Sequence, residues 1–373
     1  MNLKYCVGLD IACKKIDICI SVIDSHQRVS VVSGKSFLNT LNGFKAMEDW
    51  IIKNHKEQDV PLVLCMEATG VYHENCALYF SEREYKTSII LPNKARHYFI
   101  SLGLKSKNDS IDAKGLSRMG AEQCLALWQP MGTFFYKLRQ YTRQYQNLQE
   151  QKTVFNNQLH ALEYSMFKSK AMIKQQKDTI KLFNKQLKEL EKLMQGLINS
   201  DDAVKQKVAN ICKIKGIGLL TAATILAETN GFALFKNYKQ LVSYAGFDVV
   251  ERESGISTGK TKISKKGNGH IRRALFMPAF VAVKHKEKPA LDLYNRTIEK
   301  HGIKMKSYVA VQKKLLVLIY HIWKKNQEYD SCYREKRNKF PEDTPTTLTK
   351  KVAPIKLRLH QINNSFLRMK CFL

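Results

Sequence analysis

The chain has 373 residues, 44% of them hydrophobic, enough for two or three domains with a sizeable core and too apolar for global disorder. Its formal net charge of +29 favours polyanions, either nucleic acid or an anionic membrane surface. The longest apolar run, Leu315 to Trp323, is too short to span a bilayer and is flanked by Lys, and the nine Cys contain no C-x₂-C pair, so neither a membrane span nor a zinc site has support. The odd Cys count and the absence of a leader pattern point to reduced thiols in a cytoplasm.

The charge is unevenly placed. Residues 1–135 carry 16 Lys+Arg and 14 Asp+Glu, a net of +2; residues 136–200 carry 12 and 5, a net of +7; residues 201–373 carry 34 and 14, a net of +20. Within the first 120 residues, runs rich in Val, Ile, Tyr and Cys predict strands at 4–9, 16–23, 28–33, 61–66 and 86–91. Helical spacing predicts helices at 41–54, through Phe44, Met47, Trp50 and Ile51, at 72–83 and at about 93–102. The order β-β-β-α-β-α-β-α implies an antiparallel meander continued by parallel crossovers, the strand order of an RNase H-like fold. Asp10 falls on the first strand and Glu67 on the fourth, and those strands are neighbours in such a sheet. Asp109 and Asp112 lie three apart at a helix start, on one face. Structurally they read as helix-start acids favoured by the macrodipole. Together, the four acids can supply the oxygen-rich site that hard divalent cations such as Mg²⁺ want, with two metals about 4 Å apart activating a nucleophile and stabilising a leaving oxygen.

Over 137–199, Leu138, Tyr141, Tyr145, Leu148, Lys152, Phe155, Leu159, Leu162 and Met166 are spaced 3-4-3-4, and Ile180, Phe183, Leu187, Leu190, Met194 and Leu197 repeat the pattern after a break near 168–171. This is a heptad seam on two helices: a hairpin packing on itself, a dimerising coiled coil, or a hairpin that also meets a partner protomer. From 205 to about 328 the chain reads as mainly helical, with a Gly/Ser/Lys-rich interruption at 251–269. The tail 331–373 is basic and contains Pro341, Pro345 and Pro354. Four segments follow: an α/β domain at 1–135, a helical hairpin at 136–200, a mainly helical domain at 201–330 and the tail.

Two stretches suit phosphate. Lys213-Ile214-Lys215-Gly216-Ile217-Gly218 opens a helix and resembles a helix-hairpin-helix element, whose backbone N–H groups grip DNA without reading sequence. The loop from Arg252 to Asn268 interleaves glycines, hydroxyls and cations, with Arg272 and Arg273 on the helix that follows. Such a loop can bind phosphate passively, or present one Ser as nucleophile with Lys and Arg neutralising the developing charge.

Placed together, these marks resemble the DEDD transposases of insertion sequences, the IS-one-ten family, which includes the Piv-type DNA invertases. The resemblance covers about residues 4–328. It rests on Val7-Gly8-Leu9-Asp10, Met66-Glu67-Ala68-Thr69-Gly70-Val71-Tyr72 and Lys107-Asn108-Asp109-Ser110-Ile111-Asp112-Ala113, then on Gly216-Ile217-Gly218, Tyr244-Ala245-Gly246, Ser254-Gly255 and Ile263-Ser264-Lys265-Lys266-Gly267-Asn268 with Arg272-Arg273. It implies a RuvC-like N-terminal domain, a coiled-coil hairpin and a C-terminal transposase domain. It also implies Mg²⁺, in two ions and replaceable by Mn²⁺, held by Asp10, Glu67, Asp109 and Asp112. A Ser nucleophile that bonds covalently to DNA falls on Ser254, with Ser257 the runner-up. The chain departs from the family pattern at Glu253, where a Ser often stands, and at Ile256, where a second Gly often stands. Implied partners are double-stranded donor and target DNA, a structured guide RNA (the bridge RNA) and further copies of the chain, dimers assembling to tetramers, in a bacterial cytoplasm. Lys213, Lys215, Gly216, Gly218, Lys260, Lys262, Lys265, Lys266, Arg272 and Arg273 are the candidate nucleic-acid contacts. The rival readings are a RuvC-like structure-selective endonuclease using metal-activated water, and a non-catalytic RNA-binding scaffold.

Overall fold

Three long strands open the chain: β1 (Asn2–Ile11), β2 (Lys15–Asp24) and β3 (Val29–Leu38). They form an antiparallel meander, with Asp10 opposite Asp17 and Ile20 opposite Ser33. After α1 (Leu41–Asn54), strand β4 (Leu62–Glu67) returns to pair in parallel with β1, and after α2 (Glu74–Glu82), β5 (Lys86–Ile90) pairs in parallel with β4. The sheet order is β3-β2-β1-β4-β5, a mixed sheet with β1 at its centre and the topology predicted for an RNase H-like fold. The computed structural model describes residues 1–103, 108–251, 253–254, 257–259 and 261–332, which fall into two compact units, Met1–Ser200 with Ala223–Lys236, and Asp201–Ala222 with Asn237 onward. The sequence-predicted tail lies outside the described residues from 333 on.

Both faces of the sheet are covered, so β1 is buried almost throughout. On one face Val7, Leu9, Ile16, Ile18, Ile20, Leu64 and Met66 pack against Phe44, Met47 and Ile51 of α1 and Phe80 of α2. Thr40 caps α1 by accepting a hydrogen bond from the Gly43 amide at 3.2 Å. The other face carries the small side chains of β1 and β2 and receives α4 (Asp109–Glu122), with α3 (Pro92–Ser101) outside it.

The heptad seam forms within this chain. Helices α5 (Thr133–Tyr164) and α6 (Lys170–Asn199) run antiparallel, joined by a short turn. Tyr145 Oη donates to Glu191 at 3.0 Å, Phe155 meets Phe183 edge-on at 5.3 Å, and Glu163 pairs with Lys177 at 2.8 Å, each contact nearer the turn than the last. The hairpin's base is tied to the same unit by Arg143, whose guanidinium makes two bonds, 2.7 and 2.9 Å, to the buried carboxylate of Glu228.

The second unit is mostly helical. Helices α7 (Asp202–Cys212), α9 (Tyr238–Tyr244), α10 (Gly269–Ala274), α11 (Phe276–Lys284), α12 (Lys288–His301) and α13 (Lys304–Lys325) surround a core that includes Ile211, Leu241, Ile271, Leu275, Ala279, Val311, Leu315 and Ile319; α8 spans Leu219–Glu228. The Gly/Ser/Lys-rich interruption is not plain loop. It holds two short antiparallel ladders, β6 (Val249–Val250) with β9 (Lys262–Ile263), and β7 (Glu253–Ser254) with β8 (Ser257–Thr258). No helix among the described residues is long and apolar enough to cross a membrane.

Candidate active site

Strands β1 and β4 run parallel, so their carboxyl ends lie at the same edge of the sheet, where ligands of α/β sheets commonly bind. Leu9 pairs with Met66, which puts Asp10 and Glu67 one step further along at neighbouring strand ends. Both are half-buried.

The other two acids arrive on α4. Asn108 caps this helix, its side chain accepting from the Ile111 amide at 2.8 Å, which starts the helix at Asp109 and places Asp109 and Asp112 in its first turn. Gly8 explains how α4 comes so close. A Cβ at Gly8 would overlap the backbone of Ala113 and Ser117 and stand 2.8 Å from the Leu116 carbonyl carbon. Only a glycine lets a helix backbone rest on a strand in this way. The same face continues with the buried Ser21–Ser117 hydroxyl pair at 2.7 Å and with Gly120 against Cys6. Gly8 and Asp10 are two residues apart, so they share that face. The helix that needs Gly8 thus delivers its acidic first turn to Asp10.

The electrostatics report the convergence. The Asp10 carboxyl is pushed up to about 6, first by burial, then by repulsion from Asp112, Asp109 and Glu67 in that order, and last from Asp17. Asp17 is an acid the sequence reading passed over. It sits opposite Asp10 on β2, buried, and its charge is met by Lys15 at 2.8 Å and by the Ser36 hydroxyl. The signal for it was register: a meander whose first strand ends in Asp10 must place something across from it. As the side chains stand, no three His, Cys, Asp or Glu among the described residues form a group that could hold a metal ion. The fit to a hard cation therefore rests on the all-oxygen donor set and the shared field at Asp10.

In the second unit, Ser254 is exposed on β7 and paired with Ser257 across the ladder. Gly255, Ile256, Arg252 and Lys260 lie outside the described residues, as does the Ser257 side chain. The marks around 244–246 and 264–268 come together. Lys265 and Asn268 amides donate to the carbonyls of Gly246 and Tyr244 at 3.1 and 2.7 Å, and Ser264 bonds Asp248 through both its amide and its hydroxyl. A Cβ at Gly267 would strike the Tyr244 carbonyl oxygen, so this crossing requires glycine. Arg272 has a structural role beside the one expected of it: its Nη1 donates to the carbonyls of Ala245, Gly267 and Asn268 at 2.8, 3.3 and 3.3 Å, holding the crossing together. Lys262, Lys265, Lys266 and Arg273 are exposed around it.

The Gly216-Ile217-Gly218 turn divides its two glycines. Gly216 has φ +96° and lies against α11, where a Cβ would meet the Pro278 carbonyl oxygen at 2.8 Å, so packing accounts for it. At Gly218 a Cβ would meet nothing within 4 Å, which leaves the approach open. Lys215 is exposed beside it, and Lys213 pairs with Glu328 at 2.9 Å.

Comparison with known proteins covers most of the chain. A family model of the DEDD IS110 type, described as transposase, matches residues 7–167 and so spans all four acids. A second model, the transposase IS116/IS110/IS902 family, matches residues 208–295, which include Ser254. Pilin gene-inverting proteins of Moraxella bovis and Moraxella lacunata are each 30% identical over 334 residues, covering 89% of this chain and 99% of theirs. A putative transposase of Sinorhizobium fredii is 31% identical over 124 residues, 32% of this chain and 31% of its own. Among solved structures, T. thermophilus RuvC in complex with a Holliday junction substrate aligns at 9% identity and a TM-score of 0.25, covering 32% of this chain and 93% of that one. With transposase models matching both units and gene-inverting proteins matching along nearly its whole length, the chain belongs to the IS116/IS110/IS902 family of DEDD transposases and DNA invertases.

Proposed function

We propose that the protein is a DNA recombinase that cuts and rejoins strands of a mobile element, with Asp10, Glu67, Asp109 and Asp112 holding Mg²⁺ and Ser254 as the nucleophile. The observation that supports this most is the crowding of Asp10 by the other three acids at the carboxyl ends of β1 and β4. Crowding that makes Asp10 harder to ionise gains nothing structurally, and a divalent cation turns that repulsion into binding. Bound there, such ions would polarise the scissile phosphate and the leaving 3′ oxygen. The Ser254 oxygen would bond to phosphorus as the bond to the 3′ oxygen breaks, and a new 3′ hydroxyl would reverse the step to rejoin DNA. Exposed Lys262, Lys265, Lys266, Arg273 and Lys215, together with Lys260, would neutralise phosphate charge. A structured guide RNA pairing with donor and target would choose the sites, and dimers assembling to tetramers in the bacterial cytoplasm would bring acids and Ser from different protomers together.

A second reading keeps the acids and replaces Ser254 by a metal-activated water, as in a RuvC-like endonuclease. It is favoured by the DEDD model covering all four acids without reaching Ser254. Trapping decides between them. Denaturing a reaction on element-end DNA in Mg²⁺, with the RNA that copurifies with the protein, should leave a DNA–protein adduct in the wild type and none in Ser254→Ala. Cleavage without any adduct, or an adduct retained by Ser254→Ala, would assign the chemistry to water or to another residue.

A further inference from the structure

Helix α6 carries seven lysines, Lys170, Lys174, Lys177, Lys181, Lys185, Lys188 and Lys192, at successive steps of four, three, four, four, three and four. All seven are exposed. At about 100° per residue they project within about 80° of arc, and no acid of the helix falls inside that arc. The stripe points away from the seam residues Phe183, Leu187, Leu190 and Met194, so it is not part of the packing against α5, and of its lysines Lys177 alone has an ion pair to that helix among the described residues. Lys177 and Lys181 meet Glu163 and Asp178, at 2.8 and 3.6 Å; the other five have no ion-pair partner among the described residues. A face that only keeps a helix soluble mixes signs, because acids four residues from lysines stabilise it and like charges at that spacing repel. Here a self-repelling row is maintained along about 33 Å.

We propose that this stripe is a second nucleic-acid site, a rail that lies along the sugar-phosphate backbone of a DNA duplex flanking the cut site. The proposal rests on the recombinase reading above for the identity of its ligand. The row's length is close to one turn of duplex DNA, about 34 Å. Lysines on a single straight helix, without interleaved aromatics or planar donors, suit backbone charge rather than base edges. The site is distinct from the Ser254 loop and from the acids, and it gives the N-terminal unit, whose residues 1–135 carry a net of only +2, its own hold on DNA.

The test compares the full-length protein with a variant carrying Lys174→Gln, Lys185→Gln, Lys188→Gln and Lys192→Gln. None of these lysines is in a hairpin ion pair, and Gln keeps helix propensity. A control variant carries Lys45→Gln, Lys53→Gln, Lys56→Gln and Lys86→Gln, exposed lysines elsewhere in the same unit. Affinity for a labelled mixed-sequence DNA duplex of about three turns is measured against salt. Each lost phosphate contact removes about 0.9 from the slope of log affinity against log salt, so the stripe variant should fall by about 3 to 4 and the control should not move. An unchanged slope in the stripe variant, or an equal fall in both, overturns the rail. A loss confined to an RNA duplex of the same length, with DNA binding intact, overturns the assignment to DNA. Failure of the recombinase reading would show separately, as absence of Mg²⁺-dependent cleavage in a wild type that still shows the slope difference.

Discussion

Replacing Asp10 by Asn should stabilise the metal-free protein at neutral pH while removing its cleavage activity. The Asp10 carboxyl ionises at about 6 in the folded protein against 3.8 for the ordinary group. That gap of roughly two pH units corresponds to about 3 kcal/mol at about 1.4 kcal/mol per unit. The carboxyl is only half-buried, so solvent screening brings the expected cost to about 1–2 kcal/mol. The sign follows from proton counting. Between the two values the folded state holds the proton more tightly than the unfolded chain, so the wild type loses stability as pH rises through about 4 to 6 and then levels off. Asn cannot ionise and does not share that loss. Thermal melts in EDTA should therefore coincide near pH 4 and separate, with the variant higher, above about pH 6. Millimolar Mg²⁺ should then raise the wild type more than the variant, because only a competent site gains from ligand. A variant less stable than wild type in EDTA at neutral pH, or an offset that is the same at low pH, would refute the claim that burial, reinforced by Asp112, Asp109 and Glu67, makes Asp10 costly to ionise.

Three further outcomes follow from the packing. Gly8→Ala should cost about 1–3 kcal/mol or more and also abolish the Mg²⁺-dependent rise in melting temperature, since relief of the overlap moves α4 off β1. Asn108→Ala should cost only about 1 kcal/mol yet depress cleavage far beyond that, because it loosens the turn that carries Asp109 and Asp112; Asn108→Asp, which can still cap, should recover the melting temperature. Arg143→Ala should cost about 3 kcal/mol by removing the two guanidinium bonds from the buried Glu228 carboxylate, which is 2% exposed, and adding Glu228→Gln should restore part of it, as a chemical-denaturation cycle would show.

Much of this was legible from residue types. Val, Ile and Cys runs located all five sheet strands, and Phe44, Met47 and Ile51 marked α1 to the residue. Strand β3 was read too short because Ser33, Gly34, Lys35 and Ser36 show no burial pattern; pairing with β2, not a core, holds them extended. The heptad spacing announced two helices, but whether they pair within the chain is decided by contacts such as Phe155–Phe183 that spacing cannot express. The acids are legible from position, Asp10 and Glu67 at strand ends and Asp109 and Asp112 at a helix start. What placed them together, Gly8 under α4, carries no periodic signal, and neither do ladders two residues long such as β7 and β8. Gly216 and Arg272 suit phosphate from their residue types alone, and the contacts they also make at Pro278 and at Ala245 are structural roles that the sequence does not show.

The most direct test of the central claim is strand cleavage of element-end DNA by the full chain, supplied with the RNA that copurifies with it, in Mg²⁺, alongside Asp10→Asn, Glu67→Gln, Asp109→Asn and Asp112→Asn. The account predicts that the wild type cuts only with divalent metal and that each of the four variants falls to background while still binding the DNA. Normal cutting by any one of them would contradict a single metal site built from these acids.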